Sequence, residues 1–149
     1  MKLLIINGPN LNMLGLREPN IYGKRTYADL VEYIQGVCRQ TGIEAEVFQS
    51  NHEGAIIDLL HESMGKIDGI VMNPGAFTHY SYAIRDAIAA VRIPVVEVHL
   101  SDPKTREPFR HVDVLDGVVA GYIAGLGKQS YFEGLKVLAD LLGRGGNHV

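Results

Sequence analysis

Short apolar runs bounded by turn residues recur along the chain, with longer stretches of helical apolar period between them. This β, α, β, α alternation constrains the fold most, because parallel strands need long crossovers and an amphipathic helix needs a sheet face to cover. Lys2–Ile6, Glu44–Phe48, Gly69–Met72, Pro94–Val98 and Gly117–Ala120 read as five strands. Most are unbroken apolar runs, as expected where helices lie on both faces of a sheet. The expectation is an α/β fold: a three-layer, flavodoxin-like arrangement around a five-stranded parallel sheet, with ligands bound beyond the carboxyl ends of the strands.

Tyr27, Leu30, Val31, Ile34, Val37 and Cys38 fall on one stripe, with Thr26 and Asp29 spaced as a capping box and Gly42 as the stop. Ile56, Ile57, Leu60 and Met64 predict a second helix, and Tyr80, Ala83, Ile84, Ala87, Ile88 and Val91 a third, starting at about His79. The last helix opens at Ser130, with Glu133 three residues on, and the Gly-rich stretch after Gly143 predicts a frayed tail. At 149 residues, with no repeat and no linker, the chain is expected to be one catalytic domain.

A net charge of −3 with scattered Lys and Arg offers no footprint for nucleic acid or an anionic membrane. The single cysteine, Cys38, falls on an apolar helix face, which suits a buried thiol in a reducing cytoplasm. Leu3-Leu4-Ile5-Ile6 is too short for a signal-peptide core or a membrane span. A cytoplasmic location is expected.

Function should sit at the strand ends. The first strand runs into Asn7-Gly8-Pro9-Asn10-Leu11-Asn12 and then Arg17-Glu18-Pro19-Asn20-Ile21-Tyr22-Gly23, a connection far longer than the usual βα loop and therefore a candidate lid. A tyrosine near Arg17 would be stabilised as phenolate, which a general base requires. The third strand ends in Asn73-Pro74-Gly75-Ala76-Phe77-Thr78-His79, where a helix start can hold an anion. Alternation along the fourth strand puts Glu97, His99 and Ser101 on one side, so Glu97 can orient His99 as a general acid. Arg106 and Arg110 would share a face and clamp an oxyanion if their segment is helical. His52, His61, His111 and His148 show no partnered arrangement, and no histidine pair has metal-ligand spacing with a third ligand nearby. Neither metal nor cofactor is expected.

The order and spacing of Asn7–Asn12, Arg17-Glu18-Pro19, Tyr22-Gly23, the run from Asn73 to Ser81, Glu97-Val98-His99-Leu100-Ser101 and Arg106…Phe109-Arg110 resemble the type II 3-dehydroquinate dehydratases over essentially the whole chain. The resemblance implies trans elimination of water from 3-dehydroquinate to 3-dehydroshikimate through an enolate, without a Schiff base, in the shikimate pathway or in quinate breakdown. It implies Tyr22 as proton acceptor, Arg17 as transition-state stabiliser, His99 as proton donor, Glu97 orienting His99, and Asn10 holding a water against the enolate oxygen. It further implies Asn73, His79, Arg110, the Leu100 backbone and the Ser101 hydroxyl as substrate contacts, Asp86 as a contribution from a neighbouring subunit, a dodecamer built from trimers, and residues 11–24 as the lid.

Three rival readings weigh against this. A flavin-mononucleotide module would need a hydroxyl-rich phosphate loop where Asn-Gly-Pro-Asn stands. A phospho-acceptor domain would need acids where Asn7 and Asn73 stand. A Schiff-base dehydratase would need a lysine at the site, for which Lys104 is the nearest candidate.

Overall fold

A computed structural model of the chain describes residues 1–16, 20 and 25–146, with side chains through residue 143. Strands β1 (Lys2–Asn7), β2 (Glu44–Gln49), β3 (Gly69–Asn73), β4 (Val95–His99) and β5 (Gly121–Ala124) pair in parallel in the order β2-β1-β3-β4-β5. Helices α1 (Tyr27–Thr41), α2 (Glu53–Glu62), α3 (Tyr82–Val91) and α4 (Gln129–Gly146) alternate with them. This is the flavodoxin-like order, and it opens a crevice where the winding reverses, between the ends of β1 and β3.

Strand alternation divides the core. Leu3 and Ile5 pack with Leu30, Ile34 and Cys38 of α1 and Tyr131, Leu135 and Leu138 of α4. Leu4 and Ile6 pack on the opposite face with Ile56 and Leu60 of α2 and Ile84 and Ile88 of α3. Each buried aliphatic side chain of this kind contributes about 1.5–3 kcal/mol. Burial also pushes the Cys38 thiol upward, so it stays protonated and serves as packing.

The expected capping box is present at α1: the Thr26 hydroxyl accepts from Asp29 N–H at 3.2 Å and Thr26 N–H donates to the Asp29 carboxylate at 3.0 Å. Gly42, at φ 72°, ends the helix in the left-handed region.

Several expected boundaries move. The fifth strand is Gly121–Ala124, not Gly117–Ala120. Gly117 is a turn residue at φ 93°, and Val118 and Val119 are apolar because their loop packs on the α2/α3 side of the core. A run of β-branched residues marked burial there, not pairing. The third helix starts at Tyr82, capped by the Ser81 hydroxyl, which accepts from Ile84 N–H at 3.0 Å and donates to Glu53 of α2 at 2.5 Å. His79 instead closes a short 3-10 turn, Gly75–His79, and Tyr80 is exposed. Met64 lies past the end of α2 and is exposed, while α4 runs through Gly143 to Gly146. β2, an edge strand, alternates exposed and half-buried residues instead of forming a continuous apolar run.

Beyond the strands, two loops interlock. Gly8 N–H donates to the Asn73 carbonyl at 2.8 Å, and a Cβ on Gly8 would lie 2.6 Å from the Pro74 carbonyl oxygen. Only glycine permits that approach of one backbone to another. The loop after β1 is anchored next by Leu11 and Leu14, both buried in the core.

Candidate active site

The ends of β1, β3 and β4 build one cleft of about 630 Å³, measured to its open mouth, and Arg106 and Arg110 complete its wall. From β1 come Pro9 and Asn10, from β3 Asn73, Gly75 and His79, and from β4 His99, Leu100 and Ser101. Of the expected site residues, this cleft gathers Asn10, Asn73, His79, His99, Leu100, Ser101 and Arg110. Glu97 stands directly behind His99. Arg17 and Tyr22 lie outside the described residues. Asp86 is exposed on α3 and does not line the cleft.

Each position has a local cause. Asn10 sits at φ 69°, in the left-handed region that asparagine tolerates better than most residues, and its N–H donates to the Asn51 side chain at 3.0 Å. Gln49 at the end of β2 supports the same loop by donating to the Gly8 carbonyl at 3.1 Å.

Asn73 and Asn7, paired across β3 and β1, are tied by a tyrosine. The Tyr131 hydroxyl donates to the Asn7 side-chain oxygen at 2.6 Å and accepts from the Asn73 amide at 3.0 Å, and the Asn73 oxygen then accepts from Gly75 N–H at 3.1 Å. Tyr131 is fully buried, and burial pushes its hydroxyl far above the ordinary tyrosine range, so it stays neutral and donates. Tyr131→Phe leaves one buried acceptor and one buried donor unpaired. It should lower stability by about 1–3 kcal/mol, readable as a lower melting temperature.

His99 and Glu97 leave β4 on the same side. Ser101 does not share their strand, since β4 stops at His99; it joins the cleft from the bend beyond. His99 Nε2 lies 2.6 Å from Glu97 Oε2, and Glu97 is fully buried. Burial drives the two in opposite directions. It raises the Glu97 carboxyl, against the hydrogen bonds of Asp113 and Thr78, and lowers His99 to about 4, against the charges of Asp113 and Asp102. The short contact ties His99 Nε2 to Glu97 and leaves the second ring nitrogen for a ligand.

His79 donates from Nδ1 to the Val112 carbonyl at 2.7 Å in its neutral form, which burial favours, so its other nitrogen is an acceptor. Arg106 and Arg110 are not on one helix. They belong to separate 3-10 turns, Arg106 as the extended cap of Pro103–Thr105 and Arg110 within Pro108–His111. They still meet at the cleft, because the chain folds back between the turns; Arg110 is also ion-paired with Glu107 and stacked at 4.7 Å over Phe109.

Thr78, Asp113 and Tyr131 were not singled out from the sequence as site residues. Asp113 approaches Glu97 and His99 from a loop 14 residues past His99, and its only sequence signal is an acid inside an apolar stretch. The rival readings fare poorly against this geometry. Asn7 and Asn73 are neutral and committed to Tyr131, while Lys104 is exposed and lines the adjacent cleft with His111 and Tyr122.

Comparisons with known proteins identify the family. Residues 1–139 match the family model described as dehydroquinase class II. A Bacillus mycoides protein named 3-dehydroquinate dehydratase is 56% identical over 141 residues, covering 95% of this chain and 97% of that protein. The crystal structure of a type II dehydroquinase from Butyrivibrio crossotus superposes with a TM-score of 0.91 at 53% identity, covering 93% of this chain and 97% of that one. A second, from Propionibacterium acnes, gives 0.86 at 40% identity with 95% of each chain covered. The chain is a member of the class II dehydroquinase family.

Proposed function

We propose that this protein is a 3-dehydroquinate dehydratase, a hydro-lyase that forms 3-dehydroshikimate by trans elimination through an enolate, as a step of the shikimate pathway. Beside the family membership, the observation that carries this reading is the buried His99–Glu97 pair opening on a cleft walled by Arg106 and Arg110. Such an elimination needs a base beside the ketone, an acid at the departing hydroxyl and stabilisation of the oxyanion.

Tyr22, kept as phenolate by Arg17, takes the proton. Asn10 holds a water against the enolate oxygen. His99, steadied by Glu97, protonates the leaving hydroxyl. Arg110, with Ser101 and the Leu100 backbone, receives the carboxylate and ring hydroxyls together with Asn73 and His79, an assignment supported by their convergence on one cleft. Arginine suits a carboxylate because its planar fork offers parallel donors.

The assembly we propose is a dodecamer of trimers in which Asp86 reaches a neighbour's site. Supporting it, Asp86 shares α3 with Tyr82 and follows Tyr80, aromatics 67% and 59% exposed, as on a face that another copy covers. Among the described residues no helix is long and apolar enough to cross a membrane, and we place the single catalytic domain in the cytoplasm.

The test adds purified protein to 3-dehydroquinate and follows the ultraviolet absorbance of the conjugated enone. A rise that survives borohydride treatment in the presence of substrate is expected. No rise would refute the activity, and loss of the rise after borohydride would replace the enolate route with a lysine Schiff base.

A further inference from the structure

The Thr78 hydroxyl oxygen stands between two carboxyls, 2.5 Å from Glu97 Oε2 and 2.9 Å from Asp113 Oδ1. Glu97 Oε2 also meets His99 Nε2 at 2.6 Å, and Asp113 Oδ1 accepts from Leu115 N–H at 2.8 Å. A threonine hydroxyl has one hydrogen. The His99–Glu97 contact uses one proton and the Thr78 hydrogen serves one of its two carboxyl contacts. The remaining contact has none unless a carboxyl is protonated. Glu97 Oε1, buried, likewise has no donor among the described residues, and one oxygen of Asp113 lies within 4.8 Å of the facing atoms of Glu97 and His99.

We propose that Asp113 is a positioning residue for the acid: its carboxyl carries the proton that this chain of contacts lacks, and so holds Glu97 as the acceptor against which His99 is oriented. The inference rests on His99 being the acid of the proposed elimination. Thr78 reaches both carboxyls, so the other partner separates them: Glu97 Oε2 meets the His99 ring, which can carry positive charge and favours an anion, whereas Asp113 Oδ1 meets a neutral backbone N–H. Asp113 is only half-buried, where its proton can exchange with solvent.

The groups facing Asp113 are Glu97 and His99 from β4, His79 from the turn before α3 and Tyr122 from β5, with Asp102 and Asp116 nearby and Lys104, Arg110 and His111 on the same cleft. Burial pushes the Asp113 carboxyl up to about 6, its bond to Glu97 and the Glu97 charge add to this, and Leu115 N–H and Thr78 oppose it.

The test compares wild type, Asp113→Asn and Asp113→Leu as full chains, reading kcat and KM for 3-dehydroquinate against pH, and melting temperature on either side of pH 6. An amide can donate to Thr78 only by giving up the Leu115 N–H bond, since both contacts use Asp113 Oδ1. Asp113→Asn should therefore keep kcat within about tenfold and lose the part of the kcat profile due to Asp113, whereas Asp113→Leu, which cannot donate at all, should lower kcat further with KM nearly unchanged. A carboxyl held above its unfolded value stabilises the fold below that value and loses this stabilisation as pH rises through about 6. The melting temperature of Asp113→Asn should therefore gain on wild type as pH rises through that window. Wild-type kcat in Asp113→Leu, an unchanged profile in Asp113→Asn, or a melting difference independent of pH would each overturn the proposal. Inactivity of the wild type itself would refute the dehydratase assignment instead, and the melting comparison would still decide whether Asp113 holds the proton.

Discussion

His99→Ala and His99→Gln should both lose turnover by about a thousandfold, the usual contribution of a positioned proton donor, and they should differ in stability. Alanine leaves Glu97 buried without its main partner. The penalty is limited, because without His99 the buried Glu97 can take up a proton, the form that burial favours, and Thr78 still reaches it. Glutamine can keep the hydrogen bond to Glu97 and should melt within a few degrees of wild type. Loss of kcat in both variants, with stability retained in glutamine, separates the proton donor from a packing role. Near-normal turnover in His99→Gln would remove His99 from the chemistry.

Tyr22→Phe is the second large effect. It deletes one oxygen, should leave the melting temperature and the assembly unchanged, and should lower kcat by about three orders of magnitude while KM moves little. On the proposed mechanism, wild-type kcat/KM should rise with pH as the Tyr22 phenol ionises, below the free-tyrosine range if Arg17 stabilises the phenolate. Arg17→Ala should move that limb back toward the free-tyrosine value of about 10. Turnover in Tyr22→Phe within about tenfold of wild type would show that another group takes the proton.

The layer order and most of the elements were legible in the residue pattern, for identifiable reasons. β1 and β3 are continuous apolar runs because helices cover them on both faces, and α1 carries its own start and stop in Thr26, Asp29 and Gly42. Periodicity failed where an apolar run serves packing without pairing. Val118 and Val119 look like a strand and form a loop lid over the core, whereas the true strand, Gly121–Ala124, is an edge with a half-exposed tyrosine and little apolar signal. Arg106 and Arg110 show the same limit in reverse. Their spacing suggested a helical face, and they meet instead because the chain turns twice between Pro103 and His111.

Residue chemistry at the strand ends could therefore be read locally, since the ends of parallel strands must lie together and Asn10, Asn73, Glu97 and His99 each follow a strand or lie within its last three residues. Local pattern was enough for the sheet, the face where the strand ends gather, and the pairing of His99 with Glu97. What stands behind that face comes from segments far apart in the chain. Tyr131, from a helix 58 residues past Asn73, fixes the ends of β1 and β3, and Asp113 brings a second carboxyl to Glu97 across the Thr78 hydroxyl. Both act through buried hydrogen bonds between distant segments. A bond of that kind depends on distance and on the loss of water, and neither has a period or a spacing along the chain.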